Sequence, residues 1–227
     1  MLNDLTLEIP TNQVSKGYID LTIKMLQSCG ASIAVKDTVL KVMQGMLILP
    51  KSLSIDPDMS FAAYYAVKAA LLAPKTKISV ATIYPQPDSS IFGILESLGI
   101  RVIREGDDVT VHPGQAIGGT VSIKNCPDLM PILSVFGLFC QKGLHLEGVS
   151  RLKHKESDRL HGICKAFDAI GATYILAEDS LQIQPMRKKV ESVLLDTQQD
   201  HRLVMAFTLL KTMFPNISLS ETASVCK

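Results

Sequence analysis

Three short stretches hold the residues most able to do chemistry. The densest is Arg151-Leu-Lys-His-Lys-Glu-Ser-Asp-Arg159, in which six of nine residues are charged. It follows an apolar segment with a turn (Gly143 to Gly148) and precedes an amphipathic run of Leu160, Ile163, Phe167 and Ile170. A helix starting near Ser157 puts Lys155 and Glu156 at its mouth and Arg159 in its first turn. Helix starts present free N–H groups and partial positive charge, so lysine and arginine there repel unless an anion or carboxylate offsets them. A surface helix carries its basic residues at the other end. Two readings stand: a solvated charge run, or a strand-to-helix loop that grips a multiply charged anion, with Glu156 available for proton transfer. Pro127-Asp128 opens an otherwise apolar helix, and Asp200-His201-Arg202 opens another. By position alone Asp128 reads as an N-cap and His201 as a capping partner. Arg202 again stacks positive charge on a positive helix end.

The elements that must position these residues follow a repeat. Three segments share an amphipathic helix, a glycine, and two short alternating runs around a polar turn. They run through Gly30, Gly99 and Gly171. Glycine after a helix supplies the left-handed C-terminal conformation, and the paired runs read as a hairpin. A second, more apolar helix belongs to each unit: Ser60 to Leu72, Asp128 to Phe139 and His201 to Met213. Strands are expected before these helices at Leu53–Ile55, Thr120–Ile123 and Ser192–Leu195. Others are expected after them at Ile78–Ile83, Leu144–Leu146 and Ile217–Leu219. The unit is β-α-β-α-β-β. Thr6 to Ile9 is the only strand before the Tyr18–Cys29 helix, and the last unit stops after its second strand, so the chain reads as cut at both ends from a longer array. The best boundary falls at Pro50-Lys-Ser52.

Lys155-Glu-Ser-Asp-Arg-Leu160, after its short apolar strand, resembles the signature of the 5-enolpyruvylshikimate-3-phosphate (EPSP) synthases, the 3-phosphoshikimate 1-carboxyvinyltransferases. Ser15-Lys-Gly-Tyr-Ile-Asp20, Pro127-Asp128 and Asp200-His-Arg202 match in the family's order. The resemblance implies an α+β fold: an inside-out α/β barrel of β-α-β-α-β-β units, helices buried and sheets outside. Residues 1–50 would be the last unit of an N-terminal domain, and 51–227 most of a C-terminal one. The reaction implied joins the enolpyruvyl group of phosphoenolpyruvate to the 5-hydroxyl of shikimate 3-phosphate and releases phosphate, by addition and then elimination. It needs no metal and no organic cofactor. Asp128 would be the base, a role compatible with capping, and Lys155 would contact shikimate 3-phosphate. Glu156 would give or relay a proton to the methylene carbon. Arg159 and Arg202 would grip phosphoenolpyruvate, with His201 beside them. Lys227 would bind its phosphate and act in proton transfer.

The resemblance also has departures. Ser15 and Tyr18 would touch shikimate 3-phosphate, although a helix cap and a packing aromatic are equally good readings of them. Gly17 stands where the family has proline. Asp58-Met-Ser-Phe-Ala-Ala-Tyr64 matches an Asp-x-Ser-Ser-Ala-x-Tyr stretch with Phe61 for serine. Tyr84-Pro-Gln-Pro-Asp88 stands where the family usually has Asn-Ser-x-Gln-Gly-Asp, so this loop has diverged. The family's N-terminal Lys-Ser and Arg, its Asn-Ala-Gly-Thr loop, a further Arg and its Ser-Ser-Gln phosphate site have no counterpart here. Little or no activity is therefore expected of the chain by itself. The alternatives are the sister enzyme that transfers enolpyruvyl to UDP-N-acetylglucosamine, and a non-catalytic binding or repeat module.

Bulk properties exclude other classes. A net charge of +1, no tryptophan and 5% aromatics give neither a basic footprint nor a stacking platform for nucleic acid. Five dispersed cysteines form no C-x-x-C pair, which argues against a disulfide framework or zinc site and for a reducing compartment. No signal peptide and no membrane span is read from the sequence. A cytoplasmic protein, monomeric in its full-length form, is expected.

Overall fold

A computed structural model describes residues 3–11, 13–80 and 84–225. Lys227 and the expected strand end at 81–83 lie outside the described residues. The chain opens with β1 (Leu5–Glu8), α1 (Lys16–Ser28), β2 (Ile33–Lys36) and β3 (Val39–Val42), which form a sheet ordered β1-β3-β2. Next come α2 (Met59–Leu71), β4 (Thr76–Ser79), α3 (Ile91–Ser97), β5 (Val102–Glu105) and β6 (Asp108–Val111), with sheet order β4-β6-β5. The third group is β7 (Gly119–Ser122), α4 (Met130–Gly137), β8 (Leu144–Glu147), α5 (Arg159–Ile170), β9 (Tyr174–Leu176) and β10 (Ser180–Ile183), ordered β7-β8-β10-β9. Finally β11 (Val193–Leu195), α6 (His201–Met213) and β12 (Ile217–Leu219) make a parallel pair joined through the helix.

The β-α-β-α-β-β unit is complete once among the described residues, from β7 to β10. There β7 and β8 run parallel with α4 as the crossover, and β10 returns antiparallel to β8. Each expected hairpin forms, and the helix-ending glycines take left-handed φ values of 87° (Gly30), 95° (Gly99) and 69° (Gly171). One expectation needs correction. Leu53–Ile55 is not a strand. β4 pairs only with β6, and Leu53 and Ile55 are 49% and 79% exposed, so no buried face fixes a register. Asp56 instead takes the Tyr84 N–H at 2.8 Å. The described strands form four separate sheets and none closes on itself.

Helices α2, α4 and α6 pack on one another at the centre. Every residue of α4 is buried, and α2 buries nine of its thirteen. Buried aliphatic and aromatic side chains such as Ile132, Leu133 and Phe136 contribute about 1.5–3 kcal/mol each relative to exposure. The sheets lie outside and send one face inward, through Val109 and Val111, Leu144 and Leu146, and Leu181 and Ile183. Among the described residues of the first fifty only Leu40 is buried, and α1 buries nothing. No described helix is long and apolar enough to cross a membrane.

Candidate active site

The starts of α4, α5 and α6 converge. Asp128 sits in the one-turn helix Pro127–Leu129 that leads into α4. It caps nothing, contrary to the capping expectation, because both its oxygens are taken by cations. Its Oδ1 lies 3.0 Å from Lys155 Nζ and 2.9 Å from Arg159 Nη1, and its Oδ2 lies 3.1 Å from Arg202 Nη2. Burial disfavours its charge, but Arg202, Lys155 and Arg159 together hold its carboxyl below the ordinary carboxylate value.

Arg159, the first residue of α5, is 1% exposed. A guanidinium out of water requires carboxylate partners on all sides. Nε donates to Asp200 Oδ2 at 2.8 Å, Nη1 to Asp128, and Nη2 to Glu156 Oε2. Asp200 is the N-cap of α6 and accepts the Arg202 backbone N–H at 2.8 Å and the Ser157 hydroxyl at 2.9 Å. Burial opposes its charge too, yet Arg159, the Arg202 N–H and Ser157 hold it below the usual carboxylate range. The charged run thus divides its work. Asp158 caps α5 by accepting the His161 N–H at 2.9 Å, while Lys155, Glu156 and Arg159 turn toward the cluster.

Among the described residues, Arg202 leaves its buried Nε without a hydrogen-bond partner. An unmet buried donor costs about 1–3 kcal/mol. It marks the point where an added anion would gain most. His201 begins α6 half-buried and joins none of the ion pairs among the described residues. Two residues of the first unit bond to side chains elsewhere in the chain. Ser15 has a left-handed backbone (φ 59°) and caps nothing with its side chain; its Oγ accepts from Arg151 Nη1 at 3.1 Å. Tyr18 donates to Asp88 Oδ1 at 2.9 Å, so it is more than a packing aromatic.

The family model for EPSP synthase (3-phosphoshikimate 1-carboxyvinyltransferase) matches residues 1–220. The chain belongs to that family. Among its relatives, the 3-phosphoshikimate 1-carboxyvinyltransferase of Buchnera aphidicola subsp. Cinara cedri is 26% identical over 229 residues, covering 99% of this chain and 52% of that protein. That of Methanococcoides burtonii is 31% identical over 219 residues, covering 91% and 49%. EPSP synthase from Acinetobacter baumannii superposes with a TM-score of 0.78 at 18% identity, over 99% of this chain and 54% of that one. The enolpyruvyl transferase NikO from Streptomyces tendae gives 0.74 at 18%, over 98% and 52%. These likenesses establish the enolpyruvyl transferase fold. The chain spans about half the length of the curated relatives it matches. The family match does not favour the sister-enzyme alternative.

Within this EPSP synthase family chain, sequence reasoning missed two buried carboxylates that hold the site together. Asp200 was legible only as part of a motif, although it carries Arg159. Asp88, 1% exposed, accepts from Tyr18 and from the Ser60 hydroxyl of α2. Its burial, against those two hydrogen bonds, pushes its carboxyl above the usual value. Tyr64, also on α2, donates to the Arg202 carbonyl at 3.2 Å, and burial pushes its phenol up. The polar signal for both residues was present in Asp58-Met-Ser-Phe-Ala-Ala-Tyr64, where Asp58 caps α2. An apolar groove of about 340 Å³ between α2 and α6, lined by Phe61, Tyr65 and Met205, lies apart from the cluster.

Proposed function

We propose that this chain supplies one side of an active site that transfers enolpyruvyl from phosphoenolpyruvate to the 5-hydroxyl of shikimate 3-phosphate. Residues 1–50 then belong to one domain and 51–227 to another. The observation that carries this reading is Asp128 held by three cations from the starts of α5 and α6 and the turn before α5. Three cations around one carboxylate make a site for anions, and the substrates bring one carboxylate and two phosphates. A planar guanidinium matches a carboxylate bidentately, which suits Arg159 and Arg202 to the phosphoenolpyruvate end. The unmet Arg202 Nε is one donor ready for it.

The same geometry governs proton transfer. A carboxylate clasped by three cations is a poor base, because each cation stabilises its charged form. Anions arriving on Arg159, Arg202 and Lys155 would compete with Asp128 for them and raise its proton affinity. Asp128 then takes the 5-hydroxyl proton as the oxygen bonds to the central carbon of phosphoenolpyruvate. Glu156, on the exposed side of Arg159, delivers a proton to the methylene carbon. Elimination breaks the carbon–oxygen bond to phosphate, returns a proton from the methyl group and restores the double bond. The cations stabilise the charge that moves onto the leaving phosphate. Lys227 would serve that phosphate, and His201 would line the same side.

Calorimetry with each substrate, separately and together, tests the reading, with phosphate release measured in the same samples. Phosphoenolpyruvate is expected to bind without turnover, and Arg202→Ala to weaken it at least about tenfold, near 1.4 kcal/mol. Equal binding by Arg202→Ala, or no binding to the unchanged chain, sinks the assignment. Turnover at an enzymatic rate would overturn the expectation of an inactive chain.

A further inference from the structure

Besides its polar bonds, α1 meets the core at a close backbone approach. Gly17, in the first turn of α1, lies against the Pro87 ring: a Cβ at Gly17 would sit 2.8 Å from Pro87 Cγ. No side chain fits there without displacing the ring. The next residue, Tyr18, donates to Asp88, the residue after Pro87. A cavity of about 500 Å³ opens beside this contact, bordered by Lys16, Asp20, Ser90 and Asn125.

We propose that Gly17 and Pro87 are a matched positioning pair, whose backbone-to-ring contact sets how far Ser15 and Tyr18 reach over the Asp128 cluster. Glycine permits the approach, and the proline ring on the rigid turn Pro87–Ser90 sets its limit. Neither residue touches substrate in this account. Both act through Tyr18 and Ser15, and the consequence for shikimate 3-phosphate rests on the function proposed above.

The test is a double-mutant cycle of Gly17→Ala, Pro87→Gly and the two together. Position 17 lies within α1, where alanine favours helix over glycine, so a loss in Gly17→Ala does not come from a weaker helix. The first readout is the ring-carbon resonance of Tyr18 in tyrosine-labelled protein, assigned by its loss in Tyr18→Phe. Gly17→Ala is expected to move it toward the position of a solvated tyrosine, and the double variant to return it. In the same proteins, affinity for shikimate 3-phosphate should fall about tenfold and recover in the double variant, while phosphoenolpyruvate affinity stays within about twofold. An unmoved Tyr18 resonance in Gly17→Ala overturns the proposal, as does a double variant no better than the sum of its parts. If the unchanged chain binds neither substrate, the substrate assignment falls, and the Tyr18 resonance still decides the pairing.

Discussion

The segment from α1 to β3 and the segment from α5 to β10 are built alike and end differently. Each is an amphipathic helix, a left-handed glycine and a tight antiparallel hairpin. Yet α5 buries eight of its twelve residues, while α1 buries none. The hairpin after α5 sends Leu181 and Ile183 into the core, and the one after α1 buries only Leu40. The helix and hairpin are written locally, by a glycine after the helix and a polar turn between strands. Burial comes from neighbours. α5 has α4, α6 and β11 against it, and no other helix packs closely on α1 among the described residues. Equivalent local signals therefore guarantee the element and not its contribution to stability.

The strongest way to sharpen this contrast is to remove Arg159, the buried charge at the start of α5. Arg159→Met leaves Asp200 without its cation and Asp128 with one fewer. Breaking a buried network from one side costs about 3–5 kcal/mol, read as a fall in the denaturation midpoint. The pH dependence should change with it. Asp128 and Asp200 have folded pKa values below their unfolded ones. Their stabilisation is thus complete above the ordinary carboxylate value of about 3.9 and is lost as pH falls through the lower folded values. Asp88, raised by burial, has the opposite slope: its contribution declines as pH rises from that value through its own. Midpoints measured from pH 7 down to about 3 should fall at the acid end in the unchanged chain and fall less steeply in Arg159→Met. Parallel curves would deny the network its electrostatic role.

Apolar truncation tests the same contrast without charge. Ile163, on α5, is fully buried, and Met25, on α1, is exposed. Ile163→Ala should cost about 2–4 kcal/mol through lost burial and a cavity. Met25→Ala should stay within about 0.5 kcal/mol. Urea titration of both variants decides it. A comparable loss at Met25 would mean that α1 has a packed face in solution.

How much the sequence disclosed follows the same division. α6 and β12 were legible residue for residue, α6 because an N-capping aspartate marks its start. The charged members of the site were legible as well, since Lys155, Glu156 and Arg159 crowd a helix start where cations need a partner. The choice of partner was not. Arg159 reaches Asp200 across 41 positions and Tyr18 reaches Asp88 across 70, and no periodicity encodes such pairs. Asp128 misled for a related reason: its position is that of a cap, but three cations compete for it and win. Leu53–Ile55 failed because a strand also needs a buried face to fix its register, and Leu53 and Ile55 are exposed.

The mildest perturbation bears on whether the first unit is held at all. Tyr18→Phe removes one hydroxyl and keeps the ring. Asp88 then stays buried with Ser60 as its remaining side-chain donor. A hydrogen bond to a charged acceptor is worth about 1.5–3 kcal/mol, and the water that enters beside an opened seam recovers part of it. A net loss of about 1 kcal/mol is expected, and its location matters more than its size. Amide hydrogen exchange should quicken along α1 and leave α4 and α6 unchanged, because Tyr18 ties the unit to the core without entering it. Quicker exchange in α4 as well would make Asp88 a strut of the core rather than the anchor of a seam. No change anywhere would leave the contact of Gly17 with Pro87 and the Ser15–Arg151 bond to hold the unit in place.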